Sequence, residues 1–289
     1  MAKTNLTLVS SMADGSFAKA LDQHVAWGLS VLDLKDCIFG KNVSDLTSHD
    51  ARRAGALIRE RGLSVYCLST SLFHDDVERG EDLFRRLHFG PLKHVLEIAD
   101  VLKPRLISLV AASSSKRRDL KDAVAYVRRS QPWLIPLYDE AADRIDTAGS
   151  KTTIVNEAGD CLLSTPAELH DFFQALGFRE RICLTWDVQN LWQCGTFPSV
   201  TVYEALKSVI GYCYLKGGQH GLTSTALRWR TALADASWPV AEITRRIVRD
   251  RVSPIICLNR CSGAAKPGYS YKRLTERDID FARKLMIQV

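Results

Sequence analysis

Short apolar runs recur along the chain at intervals of roughly 30 residues: LTLVSS (6–11), GLSVLDL (28–34), GLSVYCLS (62–69), RLISLVAA (105–112), KTTIVNE (151–157), RICLTWD (181–187), GYCYLK (211–216) and SPIICLN (253–259). Between them lie segments at 48–62, 91–103, 133–149, 165–177 and 239–251, where apolar residues return every three to four positions, the period of a helix with one buried face. Gly62, Gly149 and Gly177 fall where such helices should stop, and Thr165-Pro166 and Ser237-Trp238-Pro239 where they should start. Strand alternating with helix predicts βαβ units and a parallel sheet. An open doubly wound sheet uses fewer than the eight strands found here. The pattern therefore predicts the α/β class and a closed (β/α)8 TIM barrel, one domain over residues 1–289.

In such a barrel chemistry gathers at the C-terminal ends of the strands, where the loops vary over a rigid wall. Glu157 ends one strand and Asp187 ends the next. Alternation places Thr153, Val155 and Glu157 on one face, and Cys183, Thr185 and Asp187 on one face. Two carboxylates on neighbouring strand ends repel unless a cation or a shared proton lies between them. The bland alternative is a pair of solvated rim acids partnered by nearby Arg or Lys. Ser69 is a further rim candidate, and Arg260 could grip an anionic substrate in bidentate fashion. The basic patch SSSKRR (113–118) is either a helix-capping loop or an anion site.

Composition removes several function classes. With 46% hydrophobic and 25% charged residues the chain can bury a large core, and no apolar run approaches the roughly 20 residues of a membrane span. The N-terminal stretch has no long apolar core followed by small residues, so a cytoplasmic protein with no secretory signal is expected. The eight cysteines form no CxxC pair, which predicts reduced thiols and neither a disulfide framework nor a structural zinc site. A net charge of +6 suits an anionic small molecule or solubility alone. No basic-aromatic stripe is present, so no nucleic acid partner is expected.

The segment TTIVNEAGDCLLSTPAELHDFFQALGFRERICLTWDVQNLWQCG (152–195) resembles the central stretch of the xylose isomerase-like barrels, the sugar phosphate isomerase/epimerase superfamily. Members carry a strand ending in Glu, a turn and helix, then a strand ending in Asp with His or Asn three positions on. These fall here on Glu157, Asp187 and Asn190. The likeness continues through KSVIGYCYLKGGQ (207–219) and through 232–260. It implies a sugar, polyol or keto-sugar isomerase or epimerase moving a proton next to a carbonyl. Glu157, Asp187 and Lys216 would be catalytic, and Asp33, Ser69, Asn190, Tyr214, Asn259 and Arg260 would bind substrate. It also implies one divalent metal (Mg, Mn or Zn), no nucleotide cofactor, and a homodimer in which RRLHFGPL (85–92) could take part.

The family holds its metal with Glu, Asp, His and a second Glu from four successive strands, of which this chain keeps Glu157 and Asp187. Tyr214 stands at the histidine position, Gly217 replaces the acid that follows Lys216, and Cys257 or Asn259 stands where the second Glu would be. Two arrangements follow. Either His220 or Gln219 folds back over Gly217-Gly218, so that Glu157, Asp187 and His220 hold the metal, or Lys216 is the fixed cation while the two acids move protons. A lyase or dehydratase on a keto-sugar needs the same proton abstraction. The degenerate ligand set also fits a non-catalytic sugar- or protein-binding barrel. An apurinic endonuclease would need many more histidines at the strand ends.

Overall fold

The computed structural model describes residues 4–177 and 180–287. Its strands are β1 (Asn5–Leu8), β2 (Val31–Leu34), β3 (Ser64–Ser69), β4 (Leu106–Val110), β5 (Lys151–Val155), β6 (Ile182–Asp187), β7 (Ile210–Leu215), β8 (Gln219–His220), β9 (Leu227–Arg230), β10 (Ile255–Leu258) and β11 (Ala264–Ala265). The helices are α1 (Phe17–Ala26), α2 (Ser48–Glu60), α3 (Glu81–Leu102), α4 (Ala123–Ser130), α5 (Leu134–Thr147), α6 (Pro166–Ala175), α7 (Val188–Gln193), α8 (Val200–Leu206), α9 (Val240–Asp250) and α10 (Leu274–Ile287).

Among the described residues one eight-stranded parallel sheet runs β1-β10-β7-β6-β5-β4-β3-β2. Its two ends meet through a parallel bridge between Val9 and Asp33, and Thr7 Oγ1 donates to the Val31 carbonyl at 2.6 Å. The result is a nearly closed (β/α)8 barrel, as the alternation of strand and helix predicted.

Side-chain alternation divides the core in two. Leu6, Leu8, Leu32, Leu34, Ile107, Leu109, Ile154 and Trp186 pack outward against the helices. Val9, Cys67, Leu106, Val110, Val155, Tyr212, Tyr214, Ile255 and Cys257 fill the barrel interior. The same alternation along β7 turns Tyr212, Tyr214 and the following Lys216 inward, so polar residues continue the interior column up to the mouth.

Local signals set the helix ends. Thr165 accepts the Glu168 N–H at 3.2 Å with Pro166 at the first helical position, and Thr47 with Asp50 forms a full capping box at α2. One boundary differs from expectation: α3 starts ten residues before Pro91, at Glu81. Its acidic first turn suits the helix N-terminus, and buried Phe84, His88 and Phe89 anchor the early turns. Pro91 removes the hydrogen bond to the Leu87 carbonyl, at a residue exposed enough for water to replace it. Within RRLHFGPL, His88, Phe89 and Leu92 face the core, while Arg86, Leu87, Gly90 and Pro91 are exposed.

The basic patch at 113–118 is a structural tie. Arg117 Nη2 lies 2.8 and 3.0 Å from the two Glu168 oxygens, and Lys116 Nζ lies 2.6 Å from Glu78. The cysteines are all free. No helix among the described residues is long and apolar enough to cross a membrane.

Candidate active site

The C-terminal ends of the barrel strands surround a cavity of about 360 Å³. Glu157, Asp187, Asn190, Tyr214, Lys216, Ser69, Asn259 and Arg260 all line it, together with Lys35 and Gln193. Its position follows from register, since β6 pairs with β7 through Asp187 opposite Tyr214, and Lys216 follows one turn of the pleat later.

Asp187 is fixed from both sides. Its Oδ1 accepts the backbone N–H groups of Gln189 and Asn190, at 3.0 and 3.1 Å, capping α7, and its Oδ2 lies 2.5 Å from Lys216 Nζ. Both side chains of this ion pair are almost completely buried. Glu157 is different: half-buried at the rim, its side chain accepts only the Ala158 N–H among the described residues, at 2.9 Å. One acid is thus locked against a lysine, and the other is open to a ligand.

Asn156 holds the two strand ends together. It exchanges hydrogen bonds with the Asp187 backbone at 2.9 and 3.0 Å, and its carbonyl accepts from the Asn190 side chain. One layer down, Thr153 and Thr185 hydroxyls touch at 2.5 Å, which confirms that β5 and β6 turn these residues toward each other. Asn156 went unnoticed in the sequence because alternation points it away from the expected site; a polar residue between a buried strand and a rim acid was the available signal. Lys35 and Gln193 were missed as ordinary loop and helix residues.

Asp33 lies below the rim position expected for it and is fully buried. Its carboxyl touches Ser69, Tyr212 and Tyr214, and burial pushes its pKa up against these hydrogen bonds. Burial likewise holds the Tyr212 and Tyr214 hydroxyls well above their ordinary value. Both phenols therefore remain hydrogen-bond donors.

No family model matches the sequence, and no curated protein does. Solved structures do match along the whole chain. A xylose isomerase-like TIM barrel protein from Mycobacterium smegmatis, in complex with magnesium, superposes with a TM-score of 0.72 at 11% identity, over 99% of this chain and 97% of the other. The fold is that of the xylose isomerase-like barrels. The same fold is shared with a probable 3-DHS dehydratase of petrobactin synthesis from Bacillus anthracis (TM-score 0.70, 12% identity, 97% of this chain and 98% of the other). It is also shared with D-psicose 3-epimerase, with D-tagatose, from Clostridium cellulolyticum H10 (TM-score 0.68, 11% identity, 98% and 99%).

Within this xylose isomerase-like barrel the residues present do not fit a divalent cation. Asp187 Oδ2 already faces the Lys216 ammonium, and Oδ1 faces two N–H groups, so a metal placed there would confront a fixed positive charge. Among the described residues no group of three or more His, Cys, Asp or Glu side chains could hold a metal ion. His220 does not fold back to the cavity as the first arrangement required. It pairs with Leu227 in a small sheet ordered β11-β9-β8, its Nδ1 lies 2.6 Å from the Gly221 carbonyl, and its ring packs on Phe197. Gln219 is held by Asp235 and Lys266 in the same sheet. Cys257 is turned into the barrel beneath the mouth, 3.7 Å from Asp33.

Gly217 explains why no acid stands after Lys216. A Cβ there would lie 2.0 Å from the Thr231 carbonyl oxygen and 2.7 Å from Ala232. Placing an acid after Lys216 by Gly217→Asp is expected to destabilise the protein by about 3 kcal/mol or more through backbone displacement, without creating metal affinity. Thermal unfolding with and without added Mn²⁺ checks this, and a Mn²⁺-dependent rise in the variant's midpoint would contradict it.

Proposed function

We propose that the cavity is a proton-transfer site for a keto-sugar or polyol, in which Glu157 moves the proton next to a carbonyl and Lys216 polarises the carbonyl oxygen. The observation that carries this is the division of roles between the two acids. Glu157 lines the cavity with no ion-pair partner among the described residues, while Asp187 holds the Lys216 ammonium at the same cavity wall. A general base needs a free carboxylate within reach of the C–H bond, and the developing oxyanion needs a fixed positive charge that does not have to reorganise. Tyr214 and Asn190, also on the lining, are placed to hold substrate oxygens.

The size of the cavity suits a monosaccharide, near the lower end of the roughly 300–1,000 Å³ common for ligand pockets. The epimerase with the same fold supports a ketose as the first compound to try. Lys35 and Arg260 line the cavity without an ion pair among the described residues, against the single unpaired carboxylate of Glu157. This balance favours a substrate carrying an anionic substituent.

Incorporation of solvent deuterium into ketoses, their phosphates and keto-acids, read by mass spectrometry, tests the proposal. Exchange at a carbon next to the carbonyl is expected. Arg260→Ala should raise KM for the anionic substrate about 10-fold or more, with little change for a neutral one. Failure of every compound to exchange would remove the proton-transfer assignment.

A further inference from the structure

Four oxygen–oxygen contacts surround Asp33, and they cannot all be hydrogen bonds if its carboxyl is ionised. Ser69 Oγ lies 2.6 Å from Asp33 Oδ1 and 2.8 Å from Tyr214 Oη. Tyr214 Oη and Tyr212 Oη each lie 2.9 Å from Asp33 Oδ2. Each contact needs one hydrogen between its oxygens, and the three hydroxyls supply only three. A carboxylate supplies none, which would leave one pair of buried oxygens facing each other bare. A carboxylic acid supplies the fourth. The ring then closes as Asp33 Oδ1–H to Ser69, Ser69 to Tyr214 and Tyr214 to Asp33 Oδ2, with Tyr212 donating to the same Oδ2. The remaining titratable groups facing this carboxyl, Cys257 on β10 and Cys67 on β3, are buried thiols held above their ordinary value, so no cation stands by to favour ionisation.

We propose that Asp33 is held as a neutral acid and that the Asp33–Ser69–Tyr214 ring is a proton relay opening on the cavity through its two lining hydroxyls. The relay rests on the proton-transfer function assigned above. As Glu157 takes the proton from carbon, the electron pair of that C–H bond moves to the carbonyl oxygen; the Tyr214 O–H turns from Asp33 Oδ2 to the substrate, and its bond breaks as the hydrogen forms an O–H bond with that oxygen. The Ser69 hydrogen passes to Tyr214 and the Asp33 hydrogen to Ser69, leaving Asp33 as a carboxylate. In the second half the neighbouring hydroxyl returns one proton to Tyr214, the chain runs backward, and Glu157 reprotonates carbon. No proton is gained or lost over the cycle. Asp33 itself does not line the cavity, so it is a positioning and supply residue, with Tyr214 as the group that meets substrate.

Carbon-13 NMR of protein labelled at its aspartate carboxyls tests the neutral acid without any substrate. One resonance is expected to stay at the protonated position through neutral pH and to be missing in Asp33→Asn. The Asp278 carboxyl, pushed up to about 6 by burial, is raised as well, and its resonance is assigned by its absence in Asp278→Asn. If Asp33→Asn does not fold, Ser69→Ala makes the assignment by shifting the same resonance. The asparagine amide can replace every bond of the neutral acid, so the folding constant of the wild type should fall relative to Asp33→Asn. The fall is tenfold per pH unit above the unfolded carboxyl value, and it ends at the folded one. Ordinary acid-range titration of every aspartate but Asp278 would overturn the proposal. So would an Asp33→Asn variant with unaltered kcat in an exchanging substrate, where a drop of tenfold or more at unchanged KM is expected. A protonated signal in a protein that exchanges no substrate would sink the delivery step and the proposed function while the ring itself stood.

Discussion

Lys216→Met is expected to lower stability by about 3–5 kcal/mol, the usual cost of removing one partner of a buried ion pair. The cause is the carboxylate left behind. Asp187 and Lys216 side chains are 2% and 7% exposed, and their contact is 2.5 Å, so water cannot take the place of the ammonium. At about 2 °C per kcal/mol for a chain of this size, the unfolding midpoint should fall by about 6–10 °C. Adding Asp187→Asn should restore most of the loss, because asparagine still offers an oxygen to the Gln189 and Asn190 N–H groups while removing the stranded charge. Lys103→Met, at the exposed pair with Asp100, should change little and is the control. Equal midpoints for Lys216→Met and the wild type in thermal unfolding would mean that the pair is solvated.

Glu157→Gln is expected to do the opposite, leaving stability intact and slowing proton exchange by about 10²–10⁴-fold, the range for loss of a general base. The Ala158 N–H can bond to the glutamine oxygen as it does to the glutamate, and among the described residues Glu157 has no ion pair to lose. The drop should appear in kcat, with KM nearly unchanged, since a base acts on the transition state more than on the bound ground state. A variant with full kcat would assign the base elsewhere. Asn156 offers a comparison: Asn156→Ala loosens the link between β5 and β6 that sets the spacing of Glu157 and Asp187.

These two residues were legible in the sequence because period-2 alternation and strand endings are local properties. Each barrel strand lies within its apolar run or begins one residue before it, and both acids line the mouth. The metal question was not legible. Gly217-Gly218 could be taken as a hinge that returns His220 to the site, whereas in three dimensions the two glycines admit close packing against Thr231, Ala232, Gln189 and Leu227. That contact depends on the β8–β9–β11 sheet, whose strands are two to four residues long and separated by up to 33 residues, too short to leave a periodic signal. Asp33 was expected among the substrate-binding residues, but its depth along the barrel axis depends on the register shift between Leu32 and Asp33, which no single strand reveals. The α3 boundary failed for a related reason. A proline that normally starts a helix sits inside one because Phe84 and Phe89 anchor the turn before it.

Deuterium incorporation into a keto-sugar by protein stripped of metals with a chelator puts Glu157 and Lys216 to the proof together. Exchange at the full wild-type rate, slowed by Glu157→Gln to the extent given above and not raised by Mg²⁺, Mn²⁺ or Zn²⁺, is the result expected of a barrel in which a lysine supplies the positive charge. Exchange that disappears on stripping and returns with one of those ions would contradict it.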